Sequence, residues 1–159
     1  MDIKFRKAVQ ADSGLILKFI TELAVYEKME KEVVATEENL AESLFGQRPA
    51  AEVIFALTGG TEAGFVLFFH NYSTFLGKAG IYIEDLYVKP EYRGKGIGRK
   101  LLEYIAGLAI ERGCGRVEWW VLNWNPARKF YEAIGAKSMD EWTVYRLSGH
   151  KLDKLAGKV

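Results

Sequence analysis

Apolar and polar positions in this chain repeat with two periods. Residues 3–7 alternate every second position and predict a short strand. After Ala11-Asp12-Ser13, the apolar positions become Leu15, Ile16, Phe19, Ile20, Leu23 and Ala24. That three-and-four spacing predicts an amphipathic helix. Asp12 or Ser13 is placed to cap its free N–H groups. A second helix is expected after Thr36. Glu37 and Glu38 suit its positive end, Leu40, Ala41 and Leu44 form its apolar stripe, and Gly46 and Pro49 close it. Residues 51–57 and 63–70 predict a hairpin about Thr58-Gly59-Gly60-Thr61. Residues 71–79 are expected to be a mixed loop. Residues 80–88 predict a strand, and Pro90 ends it because proline cannot donate to a ladder.

From Ile97 to Arg112 the period returns to helical. Leu101, Leu102, Ile105, Ala106, Ala109 and Ile110 form one broad face, and Arg112-Gly113 is a C-terminal signal. Residues 115–122 predict another strand. Asn125 is placed to cap a short helix that starts at Pro126 and ends before Gly135. Residues 142–147 predict a last strand, and the Lys-rich close is a short helix or a tail. Strands on both sides of helices predict one α/β (α+β) domain over residues 1–159, a sheet with helical cover.

Composition narrows the class. Of 159 residues, 49% are hydrophobic and 27% charged, which excludes a disordered or collagen-like chain. Lys plus Arg number 22 against 21 Asp plus Glu, so nothing biases the whole surface toward nucleic acid or anionic membrane. The opening segment lacks the apolar core of a signal peptide, and no run approaches a membrane span. Cys114, the one cysteine, cannot form an internal disulfide and fits a reducing compartment. The expectation is a cytoplasmic protein that meets neither nucleic acid nor membrane. His70 and His150 are the only histidines, and no metal-ligand set surrounds them. Nine Phe, eight Tyr and four Trp exceed what one small core requires, which points to a pocket or a subunit interface.

The sharpest motif is Val88-Lys89-Pro90-Glu91-Tyr92-Arg93-Gly94-Lys95-Gly96-Ile97-Gly98-Arg99. A strand runs into a glycine-rich turn, then into a long helix. Free N–H groups at such a helix start can cradle a pyrophosphate, and Arg93, Lys95 and Arg99 can add charge. The Walker pattern fails, because Gly follows Gly-Lys and the earlier glycine is missing. The dinucleotide pattern fails at its third glycine, where Arg99 stands. Arg-x-x-Gly-x-Gly fits Arg93, Gly96 and Gly98.

With the later Asn125-Pro126-Ala127-Arg128-Lys129-Phe130-Tyr131 segment, this loop resembles the signatures of the GCN5-related (GNAT) N-acetyltransferase superfamily. The segments Glu22 to Glu30, Phe75-Leu76-Gly77-Lys78 and Ile83 to Val88 resemble its diamine branch, the spermidine/spermine and thialysine acetyltransferases. The resemblance implies a mixed, V-splayed central sheet flanked by helices, acetyl-CoA as co-substrate, and a homodimer with the amine site near its interface. Phase by phase it implies roles for named residues. Leu86, Tyr87 and Val88 present backbone N–H groups to the thioester and pantetheine. Arg93, Gly94, Lys95, Gly96, Ile97, Gly98 and Arg99 hold the pyrophosphate. Tyr131 matches the family's usual general acid, protonating the departing thiolate or only hydrogen-bonding its sulfur, with a packed helix aromatic as the alternative. Asn125 either bonds the cofactor or only caps its helix, and Arg128 is either a phosphate contact or a solvated surface charge. One departure is Phe75, where the polyamine enzymes carry Trp, and it leaves the identity of the amine open.

An amine of this kind is mostly protonated at neutral pH and must lose a proton before it attacks. Glu84 is the candidate base, directly or through water. In a regular strand Asp85 points to the opposite face; a bulge, which the resemblance implies, would change that. Tyr26, Glu27, Glu30, Phe75, Glu84, Asp85, Glu141 and Trp142 are the candidate amine-recognition residues. Spaced carboxylates suit a cation with several amino groups, and aromatic faces suit methylenes or an ammonium. The alternatives are a simple helix surface for Glu27 and Glu30, cation pairing at a sheet edge for Glu84, structural hydrogen bonding or charge pairing for Asp85, and core or dimer packing for Tyr26, Phe75 and Trp142. The function expected is acetyl transfer from acetyl-CoA to a small cationic amine. The rivals are a protein or peptide N-acetyltransferase and a non-catalytic acetyl-CoA-binding module.

Overall fold

Strand β1 (Ile3–Lys7) begins the sheet in the computed structural model, which describes residues 1–158. The chain divides into two units, Met1–Trp120 and the stretch from Val121 onward. In the first, β1 is followed by helices α1 (Ser13–Tyr26) and α2 (Glu37–Phe45) and strands β2 (Glu52–Thr58), β3 (Thr61–Ser73) and β4 (Lys78–Val88). Helix α3 (Ile97–Glu111) and the short strand β5 (Val117–Trp119) complete it. The strand order is β1-β2-β3-β4-β5. The first four strands pair antiparallel, and β5 runs parallel to β4. The expected mixed α/β sheet with helical cover is borne out.

Alternation along the strands builds two apolar faces. Val53, Phe55, Phe65 and Leu67 join Ile16 and Phe19 of α1 and Leu40 and Leu44 of α2 in one core. Phe19 is its hub, with ring centroids 5.1 Å from Phe65 and 5.8 Å from Phe55. Ile54, Ala56, Val66 and Phe68 alternate to the other face and are buried. Helix α3 packs against β3 and β4, buries Leu101 and Ile105, and stacks Tyr104 on Phe5 at 4.8 Å. Arg6 stays on the α1 face, where it binds Asp12 and Glu62 at 2.8 and 2.7 Å.

Several expectations need correction. Neither Asp12 nor Ser13 caps α1: Asp12 accepts from the Val9 N–H and from Arg6, and Ser13 Oγ donates to the Gln10 carbonyl. Thr36 does cap α2, accepting from the Asn39 N–H at 3.1 Å. The loop expected at 71–79 shrinks to residues 74–77, because Asn71, Tyr72 and Ser73 pair with Gly80, Ala79 and Lys78. Those polar positions extend the ladder beyond the core, where backbone pairing needs no apolar side chains. The strand expected at 115–122 keeps only Val117–Trp119, paired with Ile81–Ile83. Beyond Ile83, β4 continues to Val88 without a β5 partner, as a splay between the two strands requires.

The second unit holds helices α4 (Ala127–Ala133) and α5 (Gly149–Leu155). Asn125 Oδ1 accepts from the Ala127 N–H at 2.9 Å, but the helix starts one residue later than expected and Pro126 takes the N-cap position. The Lys-rich close is a helix. No strand forms at 142–147. Trp142, Val144 and Tyr145 are exposed there, and alternation alone makes no strand without a partner to take its backbone hydrogen bonds.

Candidate active site

The register of β3 against β4 slips once. Leu67 pairs with Asp85 and Phe68 with Ile83, so Glu84 is the extra residue of a β-bulge. Cross-strand partners share a face. Ile83 therefore lies with Phe68 on the α3 side, and Asp85 lies with Leu67 on the α1 side. An unbroken strand would have sent Asp85 to the α3 side. The bulge the resemblance implied is present, and it removes the regular alternation that would have set Glu84 and Asp85 on opposite faces.

Helix α1 brings the third carboxylate. Its last turn closes with the Met29 N–H bonding the Ala24 carbonyl at 2.8 Å and Lys28 at φ 61°. Such a left-handed closing residue stops a helix abruptly, and it sets Glu27 at the cap. Burial, then the charges of Glu84 and Glu27, pushes the Asp85 carboxyl up to about 7. Burial, then Glu84, raises Glu27 as well. The charge of Glu84 thus bears on both Asp85 and Glu27, and the three carboxylates make one negative field. Such a field attracts an ammonium ion. Glu84 itself is exposed, within reach of solvent for proton exchange. Glu30 lies exposed in the following 3-10 turn, Glu30–Glu32, and does not act on this group.

The glycine loop follows β4. Gly94 and Gly96 have φ 74° and 82°, left-handed values that favour glycine. A Cβ at either would meet nothing within 4 Å, so the loop's outer side is open. Gly96 is the N-cap of α3 and supplies no side-chain cap. The first-turn N–H groups have no intrahelical acceptor. Open space beside a line of such amides fits a pyrophosphate. Lys95 bonds the Glu91 carbonyl at 3.2 Å and Arg99 pairs with Glu103 at 3.0 Å, both at the exposed surface. Leu86 pairs with Val66 and Tyr87 with Phe65, which holds the end of β4 beside the loop. Arg93 turns back instead of outward. Its Nε–H donates to the Val88 carbonyl at 2.9 Å, and its guanidinium lies 4.8 Å from the Tyr26 ring and 5.3 Å from the Tyr87 ring. The sequence reading offered Tyr26 to a substrate; here the cation over its ring is the chain's own Arg93. No pattern in the sequence pairs these two residues, which are far apart along the chain.

The other expected residues are placed by their own elements. Phe75 is fully exposed at the β3–β4 turn, with Tyr72 and Leu76 exposed beside it. In the second unit, Tyr131 lies in α4 with its ring 5.8 Å from that of Phe130. Arg128 donates to the Asn123 carbonyl at 3.1 Å. Glu141 and Trp142 are exposed.

An open glycine loop after β4 suits an anionic group, and the carboxylates on the same strand and at the end of α1 suit a cation. The acetyltransferase (GNAT) family model matches residues 20–136, and the chain belongs to this family. Thialysine N-epsilon-acetyltransferase of Bos taurus is 40% identical, with 98% of each chain covered. L-ornithine N5-acetyltransferase of Arabidopsis thaliana is 35% identical over 96% of this chain and 87% of its own. The structure of an integron cassette protein from the mobile metagenome of V. cholerae superposes with TM-score 0.82 at 30% identity, covering 98% of both. The protein is an acetyl-CoA-dependent N-acetyltransferase, homologous to the thialysine and spermidine/spermine branch. Acetyl-CoA is its co-substrate. Among the described residues, no helix is long and apolar enough to cross a membrane.

Proposed function

We propose that residues 1–159 work as a single N-acetyltransferase domain whose acceptor is a small amine carrying a further cationic group. Thialysine-like, ornithine-like and polyamine-like molecules belong to this class. The observation that carries the reading is the convergence of Glu27, Glu84 and Asp85, produced by the α1 terminus and the β4 bulge. The names of the relatives point to the same acceptor class.

In this reading, Glu84 takes the ammonium proton, directly or through water. The freed nitrogen attacks the thioester carbonyl carbon; the C–N bond forms and the C–S bond breaks. Tyr131 gives its proton to the departing thiolate, and the second proton of the acylated nitrogen restores the Tyr131 phenol. The amides of Leu86, Tyr87 and Val88 hold the thioester and pantetheine. Those of Gly94, Lys95, Gly96, Ile97 and Gly98 hold the pyrophosphate, with Arg99, Asn125 and Arg128 as further contacts. Glu27 and Asp85 hold the second positive group of the acceptor. Glu30, Phe75, Glu141 and Trp142 complete amine recognition, several of them in a homodimer, and Tyr26 acts on that end through Arg93. The exposed Tyr72, Phe75 and Leu76 supply an apolar surface for such an interface. The protein works in the cytoplasm.

The test is steady-state CoA release with thialysine, ornithine, spermidine and lysine-containing peptides. Turnover confined to the small amines is expected. Selective peptide turnover would overturn the acceptor class, and tight acetyl-CoA binding without turnover of any amine would leave a binding module.

A further inference from the structure

The Arg93 side chain has three partners within the chain. Its Nε–H bonds the Val88 carbonyl at 2.9 Å, and its guanidinium faces both Tyr26 at 4.8 Å and Tyr87 at 5.3 Å. These partners belong to different parts of the site. Tyr26 is the last residue of α1, next to Glu27. Tyr87 is buried at the end of β4, two residues after Asp85. Arg93 itself opens the glycine loop, and its backbone N–H closes the preceding turn on the Pro90 carbonyl at 3.2 Å. A planar guanidinium can lie against two rings and donate in its own plane; an ammonium cannot do both.

We infer that Arg93 is a positioning residue, a strut that ties the phosphate loop to the amine-binding end of α1, and not a direct ligand of the phosphates. The assignment rests on the reading of Gly94–Gly98 as the pyrophosphate cradle. Three contacts occupy its Nε–H and the faces of its plane, and each joins the loop to an element that carries a proposed acceptor residue or its neighbour. Lys95 bonds the Glu91 carbonyl and Arg99 pairs with Glu103 of its own helix, so both side chains stay local to the cradle and suit phosphate charge. Loss of the strut frees the loop and the end of α1 together, so both substrates suffer.

A phosphate contact and a strut respond differently to two changes. The first is Arg93→Lys, which keeps the charge and removes the plane and the Nε donor. The second is replacement of acetyl-CoA by S-acetyl-pantetheine, which has the thioester arm and no pyrophosphate. The strut predicts that Arg93→Lys and Arg93→Ala each raise KM about tenfold for acetyl-CoA. It also predicts a higher amine KM and an equal factor of loss with acetyl-pantetheine. Tyr26→Leu, which removes one ring, should reproduce the pattern, and the Arg93→Ala/Tyr26→Leu double variant should lose little more than either single one. Restoration of acetyl-CoA affinity by lysine, a loss confined to acetyl-CoA, or additive effects of the two changes would overturn the strut. The cradle reading fails separately, in the unmutated protein, if acetyl-CoA and acetyl-pantetheine bind equally well.

Discussion

Asp85 carries the most perturbed carboxyl of the site, and its environment dictates a pH response. Burial and the charges of Glu84 and Glu27 raise it to about 7, so the folded protein favours its protonated form. That contribution to stability is complete below the ordinary carboxylate range and is lost as pH rises through about 7. Asp85→Asn removes the penalty, and the variant should gain on the order of 1–3 kcal/mol over the parent between pH 5 and pH 8. Urea unfolding at both values measures this; an unchanged difference would show that Asp85 is not desolvated. Function should run the opposite way. Ionised Asp85 attracts an ammonium, so the amine KM of the parent should fall as pH rises through about 7. Asp85→Asn should flatten that fall, and an equally steep profile would remove Asp85 from acceptor binding. The adjacent acidic pair was legible in the sequence. Its geometry was not, because side-chain alternation follows the ladder, and one unpaired residue turns the next side chain over.

Elements whose register depends on local chemistry were the ones read well. Helices α1 and α3 followed from their apolar spacing, the β2–β3 hairpin from its Gly-Gly turn, and α2 from its acidic first turn and its Leu40, Ala41 and Leu44 stripe. The loop before α3 was also legible, since its glycines reflect backbone angles. Gly96→Ala tests this. A Cβ there meets no protein atom within 4 Å, so its penalty comes from φ 82° alone. The left-handed backbone should destabilise the variant by about 1–2 kcal/mol. Acetyl-CoA affinity should fall further, because the methyl group occupies the loop's open side. Unchanged binding by calorimetry would show that the ligand does not approach Gly96. Strand ends were read less well. Residues 71–73 join the ladder with a polar sequence, whereas 142–147 alternate and remain outside any ladder. In both cases the partner strand decides, and it is remote in sequence.

At the scale of the molecule, the exposed aromatic residues bear on assembly. Phe75 is fully exposed, with Tyr72 and Leu76 beside it at the same turn. If this surface forms the proposed homodimer, light scattering should give twice the chain mass. Phe75→Ser should then weaken the assembly while leaving the fold intact by circular dichroism. A monomer at micromolar concentration would sink the dimer. The sequence by itself determined most element types, the two-faced sheet and the glycine loop before α3, because periodicity, turn residues and left-handed backbone are local properties. Only the tertiary structure decided which face Asp85 takes, that Glu27 joins it, and that Arg93 spends its charge on Tyr26 and Tyr87. These depend on strand register and on helix ends meeting across the fold. Distances between residues far apart in the chain set them, and no local pattern encodes those distances.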